Sequence, residues 1–549
     1  MRFKFIAAAV GLVVANVAVA DEGMWQPHQL PELESVLKAK GLSIDVESIS
    51  KLTEFPMNAV ISLGGCTASF VSPKGLVVTN HHCAYGSIQY NSTTENNILE
   101  NGFLAKTTGE EVPAAPGSRV FVTEQVTDVT DKVNKGTEKL TGKARFDAIQ
   151  ANEKALVSEC EQDKSYRCNV YTFHGGLEYY LIKSLEIKDV RLAYAPAMGV
   201  GKYGGDIDNW MWPRHTGDFS FYRAYVGKDG KPAEYSEDNV PYQSDAFLKV
   251  SAKGVQEGDF VMVTGYPGST NRYRISPEVD YVFNTAYPLA RKYNSKYVSL
   301  IEENAPEGSE ARIAYESTIA GYNNYIKNYG SMIESFNKGS MYSRKQQFEK
   351  DLTAWINEDS KRKAKYGHVL ADLSALVAQS QEHNQRDRML GYVHRSQMIS
   401  TARRLYRLAY EKQKPDAERE SGYQERDMPR IESRLKSMSR RYDEAVDKAI
   451  LLYFIEQYAA LPKDERVAEV DKALGLTNGF DKQKQKALLD DMYAKSVLAD
   501  ESKRLWMADL DLTQLKQSSD PFIQYAHAIF AVTKDIEDAK KELAGKQQA

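Results

Sequence analysis

The segment Thr79-Asn80-His81-His82-Cys83 sets two imidazoles beside a thiol, and Asp206, Asp208 and Asp218 follow within one acidic and aromatic stretch from Gly204 to Phe219. Imidazole is the side chain that gives and takes a proton near neutral pH, and a carboxylate beside it selects the tautomer and steadies the imidazolium. Together these residue types are the parts of a general-base pair that activates a hydroxyl nucleophile. On extended backbone His81 and His82 would point to opposite faces. The residues alone leave open which of the three aspartates would partner a histidine. No metal is expected, because neither an H-E-x-x-H nor a C-x-x-C spacing occurs and the acidic stretch lacks the glycine and distal glutamate of a calcium loop.

Groups of this kind need rigid elements to hold them. Short β-branched and aromatic runs, Ala59 to Leu63, Ala68 to Val71 and Gly75 to Thr79, are punctuated by Gly, Pro and Ser, so Met57 to about Ser276 is expected to be mostly β. Pro31 to Lys40, with Leu33 and Leu37 at helical spacing, predicts one leading helix. Of the 35 glycines, 25 precede residue 276, and beyond Pro277 the apolar period becomes 3.6. Leu370, Leu373 and Val377 show it, as do Ile450, Tyr453, Phe454 and Tyr458. Asp520-Pro521 reads as an N-cap followed by proline at the first helical position. The charged stretches between these apolar stripes are solvated helix faces.

At 549 residues the chain is too long for one ordinary domain. Residues 1–20 carry Arg2 and Lys4, an apolar run from Phe5 to Val19 and an Ala18-Val19-Ala20 cleavage site, the pattern of a signal peptide for a periplasmic or secreted protein. No other stretch reaches the 18 or so apolar residues of a membrane span. A formal charge of −4 supplies no basic field for nucleic acid. In an oxidising compartment Cys66, Cys83, Cys160 and Cys168 are expected to form disulfides, with the local pairs Cys66–Cys83 and Cys160–Cys168 the simplest of three connectivities.

From Gly65 to Cys83 the chain reads cysteine, strand, Ser-Pro-x-Gly turn, strand and His-Cys, which resembles the surroundings of the catalytic histidine in chymotrypsin-like serine peptidases. With Gly204 to Phe219, Gly265-Tyr266-Pro267-Gly268 and Gly23-Met24-Trp25, it closely resembles the bacterial serine dipeptidyl-peptidases of the chymotrypsin clan, dipeptidyl-peptidases 7 and 11 among them. The resemblance runs from about Glu22 to the end. It implies a mixed β and α fold, a chymotrypsin-like double β-barrel peptidase domain with a large all-α domain inserted. Residues 21–276 would be the N-terminal part of the peptidase domain and 277–549 the helical domain. By the same resemblance His82 is the base and Asp218 the carboxylate that orients it. Asn209 and Trp210 would hold the substrate's free ammonium, joined from the helical domain by Asn324, although Asn323 and Asn328 lie close by. The implied reaction releases dipeptides from unblocked amino termini of oligopeptides through an acyl-enzyme, without cofactor or metal, in a homodimer. Two extended residues span about 7 Å, so ammonium-binding groups set at that distance from the nucleophile act as a ruler.

The expected nucleophile has no match. A serine peptidase usually carries its serine as G-x-S-G, which occurs nowhere here; Ser269, after Pro267-Gly268, lacks the glycine that should follow. In the family a later segment completes the second barrel and brings the serine, the oxyanion hole and the residue that sets side-chain preference. The expectation is a chain truncated before its nucleophile, inactive alone, with open strand edges and exposed apolar surface that lower solubility. The alternative is a non-catalytic peptide-binding paralogue. An HtrA-like endopeptidase fits less well, since the helical half does not resemble a PDZ module.

Overall fold

The computed structural model describes residues 24–269, 271 and 273–549, so the expected signal peptide at 1–20 lies outside the described residues. The three β-branched runs before His81 form β1 (Val60–Ser62), β2 (Thr67–Phe70) and β3 (Leu76–Thr79). Their small and branched residues alternate inward, with Ala68, Phe70 and Val77 buried. They join β4 (Phe103–Leu104), β5 (Val112–Pro113), β6 (Val120–Asp128), β7 (Tyr166–Phe173), β8 (Glu178–Ile187), β9 (Asp189–Ala195), β10 (Ser220–Val226) and β11 (Val240–Pro241). The sheet runs β4-β9-β10-β3-β2-β1-β6-β8-β7, with β11 on β10 and β5 on β9, and its pairings are antiparallel. Ile61, Phe70, Val77, Ile187, Leu192 and Tyr222 make its core.

Two parts of this half depart from the mostly β expectation. Gly142–Cys160 is a helix of 19 residues, in which Phe146, Ile149, Leu156 and Val157 recur near helical spacing without an internal breaker. From Tyr242 to Ile275 no described residue is in a strand, although Val261-Met262-Val263 has strand composition. Val250, Val261 and Val263 are exposed there. The leading helix forms as a 3₁₀ turn, Pro27–Leu33, that passes into an α-helix, Glu34–Ala39.

After Pro241 the regular elements are all helical among the described residues. Ile450, Phe454 and Tyr458 are fully buried at the centre of the helical core, beside Ile399, Leu405 and Phe522. Asp520 caps the last helix, Pro521–Gln548, by accepting from the backbone N–H groups of Phe522 and Ile523. That helix returns to the sheet half: Gly545 sits against the backbone of Gly142, leaving no room for a β-carbon, and Lys143 N–H donates to Glu542 at 2.6 Å. No helix among the described residues is long and apolar enough to cross a membrane.

The helix Glu310–Lys338 connects the two cores. Tyr315, Ile319, Tyr322 and Ile326 lie on one face and pack into the helical core. Ala320 lies on another face and packs on the sheet core, with Asn323 and Asn324 three and four residues on, on the same side.

Candidate active site

β3 ends at Thr79, and its antiparallel partner β10 begins at Ser220, directly opposite in register. Asp218, two residues before β10, is thereby brought to the chain leaving β3. A helix, His81–Tyr90, starts there with Asn80 as its N-cap residue. His81 and His82 therefore sit in a first helical turn, not on extended backbone as expected; successive helical residues diverge by about 100°, which still separates the rings. His81 is 1% exposed, and the His82 side chain is 68% exposed.

The Asp218 carboxylate engages His82 twice. Oδ2 lies 2.8 Å from His82 Nδ1, and Oδ1 accepts the His82 backbone N–H at 3.0 Å. Asn80 Nδ2 donates to Asp218 Oδ2 at 3.2 Å, a contact that sequence reasoning missed although Asn80 adjoins the histidines. Burial alone would favour the protonated carboxyl of Asp218. The hydrogen bonds from the His82 ring and backbone, with the charges of His82 and Arg214, outweigh it and hold the group below the usual carboxylate range. An ionised Asp218 at Nδ1 leaves Nε2 as the nitrogen able to accept a nucleophile's proton.

The three aspartates are separated by their partners. Asp206 accepts from Asn323 Nδ2 at 2.7 Å and faces Lys202 at 3.5 Å, while Asp208 lies against Gly204. Neither is hydrogen-bonded to His82 among the described residues.

Two disulfides form, Cys66–Cys83 and Cys160–Cys168, which selects one of the three connectivities. The first ties the residue before β2 to the turn that carries His82. Cys66, His82 and Cys83 cluster within 4.8 Å, but a sulfur in a disulfide is no thiolate, so these three do not make a metal site.

Next to this pair, Asn324 Oδ1 accepts from Asn209 Nδ2 at 2.9 Å and from Trp210 Nε1 at 3.0 Å. Asn323 instead takes Asp206, and Asn328 makes no hydrogen bond to this loop among the described residues. Trp210 has φ of 60°, a left-handed backbone that costs a bulky residue roughly 1–2 kcal/mol and is held here by the Asn324 bond. Arg214 joins the clusters: its Nη1 donates to Asn209 Oδ1 at 3.4 Å, and its charge helps keep Asp218 ionised. Ser269 makes no hydrogen bond to His82 among the described residues, and nearby Tyr266 is anchored instead to Thr67 and Thr123.

The peptidase S46 profile matches residues 20–549. The chain belongs to the peptidase S46 family. A relative from Shewanella putrefaciens, named Asp/Glu-specific dipeptidyl-peptidase, is 44% identical over 548 residues, all of this chain and 73% of the relative. A dipeptidyl-peptidase 7 from Capnocytophaga gingivalis is 38% identical over 399 residues, 71% of this chain and 55% of the relative. Among solved structures, Porphyromonas endodontalis DPP11 in complex with the dipeptide Arg-Asp superposes with a TM-score of 0.78 at 27% identity, covering 96% of this chain and 76% of that one. The fold of this S46 chain, an antiparallel sheet with a large helical part, is theirs.

Proposed function

We propose that this chain supplies the general base, its orienting carboxylate and the amino-terminus site of a serine dipeptidyl-peptidase acting on oligopeptides with acidic residues at the cleaved bond. The carrying observation is that one loop holds both functions: Asn209 and Trp210 at one end and Asp218 at the other, bridged by Arg214. In this reading His82 takes the proton of an attacking serine through Nε2, Asp218 stabilises the imidazolium, and water later resolves the acyl-enzyme. The amide carbonyl oxygens of Asn324 and Asn209 accept from the substrate ammonium, with the Trp210 indole N–H orienting Asn324, and so enforce the dipeptide length. The preference for Asp or Glu is supported by the name of the Shewanella relative, whose match extends over this whole chain.

The serine itself is proposed to lie in sequence outside these 549 residues, a reading supported by the absence of a G-x-S-G run and by the relative's greater length. Export is proposed from the pattern of residues 1–20 and agrees with two disulfides. The domain boundary near residue 276 and a homodimer complete the proposal.

The test uses the secreted protein from its source. Its intact mass is measured, its reactive serine is labelled with a fluorophosphonate and mapped, and dipeptidyl amides with Glu, Asp or Leu at the second position are offered unblocked and acetylated. Release from unblocked Glu and Asp substrates alone is expected. Saturable binding without turnover would move the assignment to a peptide-binding protein, and cleavage of acetylated substrates would move it to an endopeptidase.

A further inference from the structure

The helices Gln397–Glu411 and Pro521–Gln548 pack in the helical core but part on one side around a cavity of about 470 Å³. Its wall on the first helix is Ser400, Arg403, Arg404 and Arg407, spaced i, i+3, i+4 and i+7 so that they share one face. The second helix contributes Lys540 and Lys541 together with Phe530 and Glu537. None of the lining residues belongs to the segments that carry His82, Asp218, Asn209, Trp210 or Asn324.

The charges on this wall do not balance. Glu420 is held by Lys541 at 2.7 Å and Glu537 by Arg407 at 3.1 Å, while Lys540 reaches Asp387 at 2.8 Å. Arg407 is further held by Glu411 at 2.8 Å. Arg403 and Arg404 have no ion pair or hydrogen bond among the described residues, although both are partly buried. Burial lowers the pKa of each; the Glu537 charge works against this at Arg403, while the guanidiniums of Arg407 beside Arg403 and of Arg430 beside Arg404 add to it. Partly buried guanidiniums crowded by like charge are costly unless an anion faces them, and their planar donor forks match oxyanions two bonds at a time.

We propose that this cavity is a second ligand site, which binds a small polyvalent oxyanion, a phosphate or polycarboxylate, through Arg403 and Arg404. Tyr423 and Phe530 flank the guanidiniums and give the site an apolar side, so a ligand with a flat organic portion fits it as well as a bare ion. The site is independent of the peptidase reading, because it shares no residue with it.

The test is isothermal titration and thermal unfolding of the intact chain with inorganic phosphate and with citrate, against chloride at equal ionic strength. The expected result is saturable binding of at least one of them with a rise in the unfolding midpoint, weakened at least about tenfold in Arg404→Gln, the weight of one charge-assisted hydrogen bond. Phosphate binding alone would assign a phosphate ligand, and citrate binding alone a polycarboxylate. No binding of either to the unsubstituted protein overturns the proposal, as does binding that survives in both Arg403→Gln and Arg404→Gln. Should a variant fail to fold, the titration of the unsubstituted protein still decides.

Discussion

Asp218 clasps His82 through both oxygens, one on the ring Nδ1 at 2.8 Å and one on the backbone N–H at 3.0 Å. A single contact would fix the tautomer; the second also fixes where the imidazole starts, because it binds the backbone from which the ring projects. Replacing Asp218 by Asn should leave the fold intact and hold the wrong ring tautomer, because an amide N–H donates to Nδ1 where the carboxylate accepts from it. On the proposed function, dipeptide release is expected to fall roughly 10³–10⁴-fold in kcat, as loss of the orienting carboxylate does in Ser-His-Asp sites. A loss under tenfold would remove Asp218 from the mechanism.

Asn324 ties the helix Glu310–Lys338 to both Asn209 and Trp210 through one side chain. In Asn324→Ala the two donors turn to water and the loop loosens. The KM for unblocked substrates should rise by about tenfold, consistent with one or two neutral hydrogen bonds, with a smaller change in kcat. Steady-state kinetics on unblocked substrates would check this, and a fall in kcat with KM unchanged would assign Asn324 a purely structural part.

The Cys66–Cys83 bridge closes a loop with a sequence separation of 17 around β2 and β3. Its removal in a Cys66→Ala, Cys83→Ala pair should cost about 3 kcal/mol on the chain-entropy model. Urea unfolding with and without reductant gives the number. The substituted protein should no longer respond to reductant through this bridge.

His81 is buried against Gly201, and its Nδ1 lies 3.3 Å from Ser220 Oγ. Burial lowers its pKa below the ordinary histidine value, with the Asp218 charge acting against it and the His82 charge adding to it. The unfolded chain takes up a proton near pH 6.5 that the folded chain refuses, so stability falls as pH drops below about 6.5 and levels off once the folded pKa is passed. Thermal midpoints measured from pH 7.5 to 5 should show this fall, and it should be shallower in His81→Gln. Asp218 acts lower, since its depressed carboxyl stabilises the fold above about pH 4 and is lost only as pH falls through its folded value.

What was legible without coordinates came from local signals. The strands before His81 follow β-branched runs, and the helix that Asp520-Pro521 opens follows from a cap and a pre-set proline, both decided within a few residues. The helix Gly142–Cys160 escaped the same reading because its neighbours are strands and its apolar face is interrupted by lysine and glutamate. It is held by tertiary packing, of Ile149 against Val133 and Tyr179 and of its start against the last helix at Gly142 and Gly545. That contact joins residues some 400 positions apart, which no local pattern encodes.

The site divides along the same line. What the sequence offered for the site came through its resemblance to chymotrypsin-like peptidases, which pointed to His82 beside Cys83 as a base on a pinned loop with an aspartate from the 206–218 stretch beside it; residue type sets only what chemistry such side chains can do. Residue chemistry alone left Asp206, Asp208 and Asp218 open and the resemblance chose Asp218 and Asn324, but only the tertiary structure shows that these two make the contacts while Asp206 and Asn323 pair with each other. The pairing of Ser220 with Thr79 delivers Asp218 to His82, and the rotation of one helix between two cores turns Asn324 to Asn209 and Trp210. Register and helix rotation are set by the burial of side chains far away along the chain, so neighbours in sequence with the same chemistry end in different places.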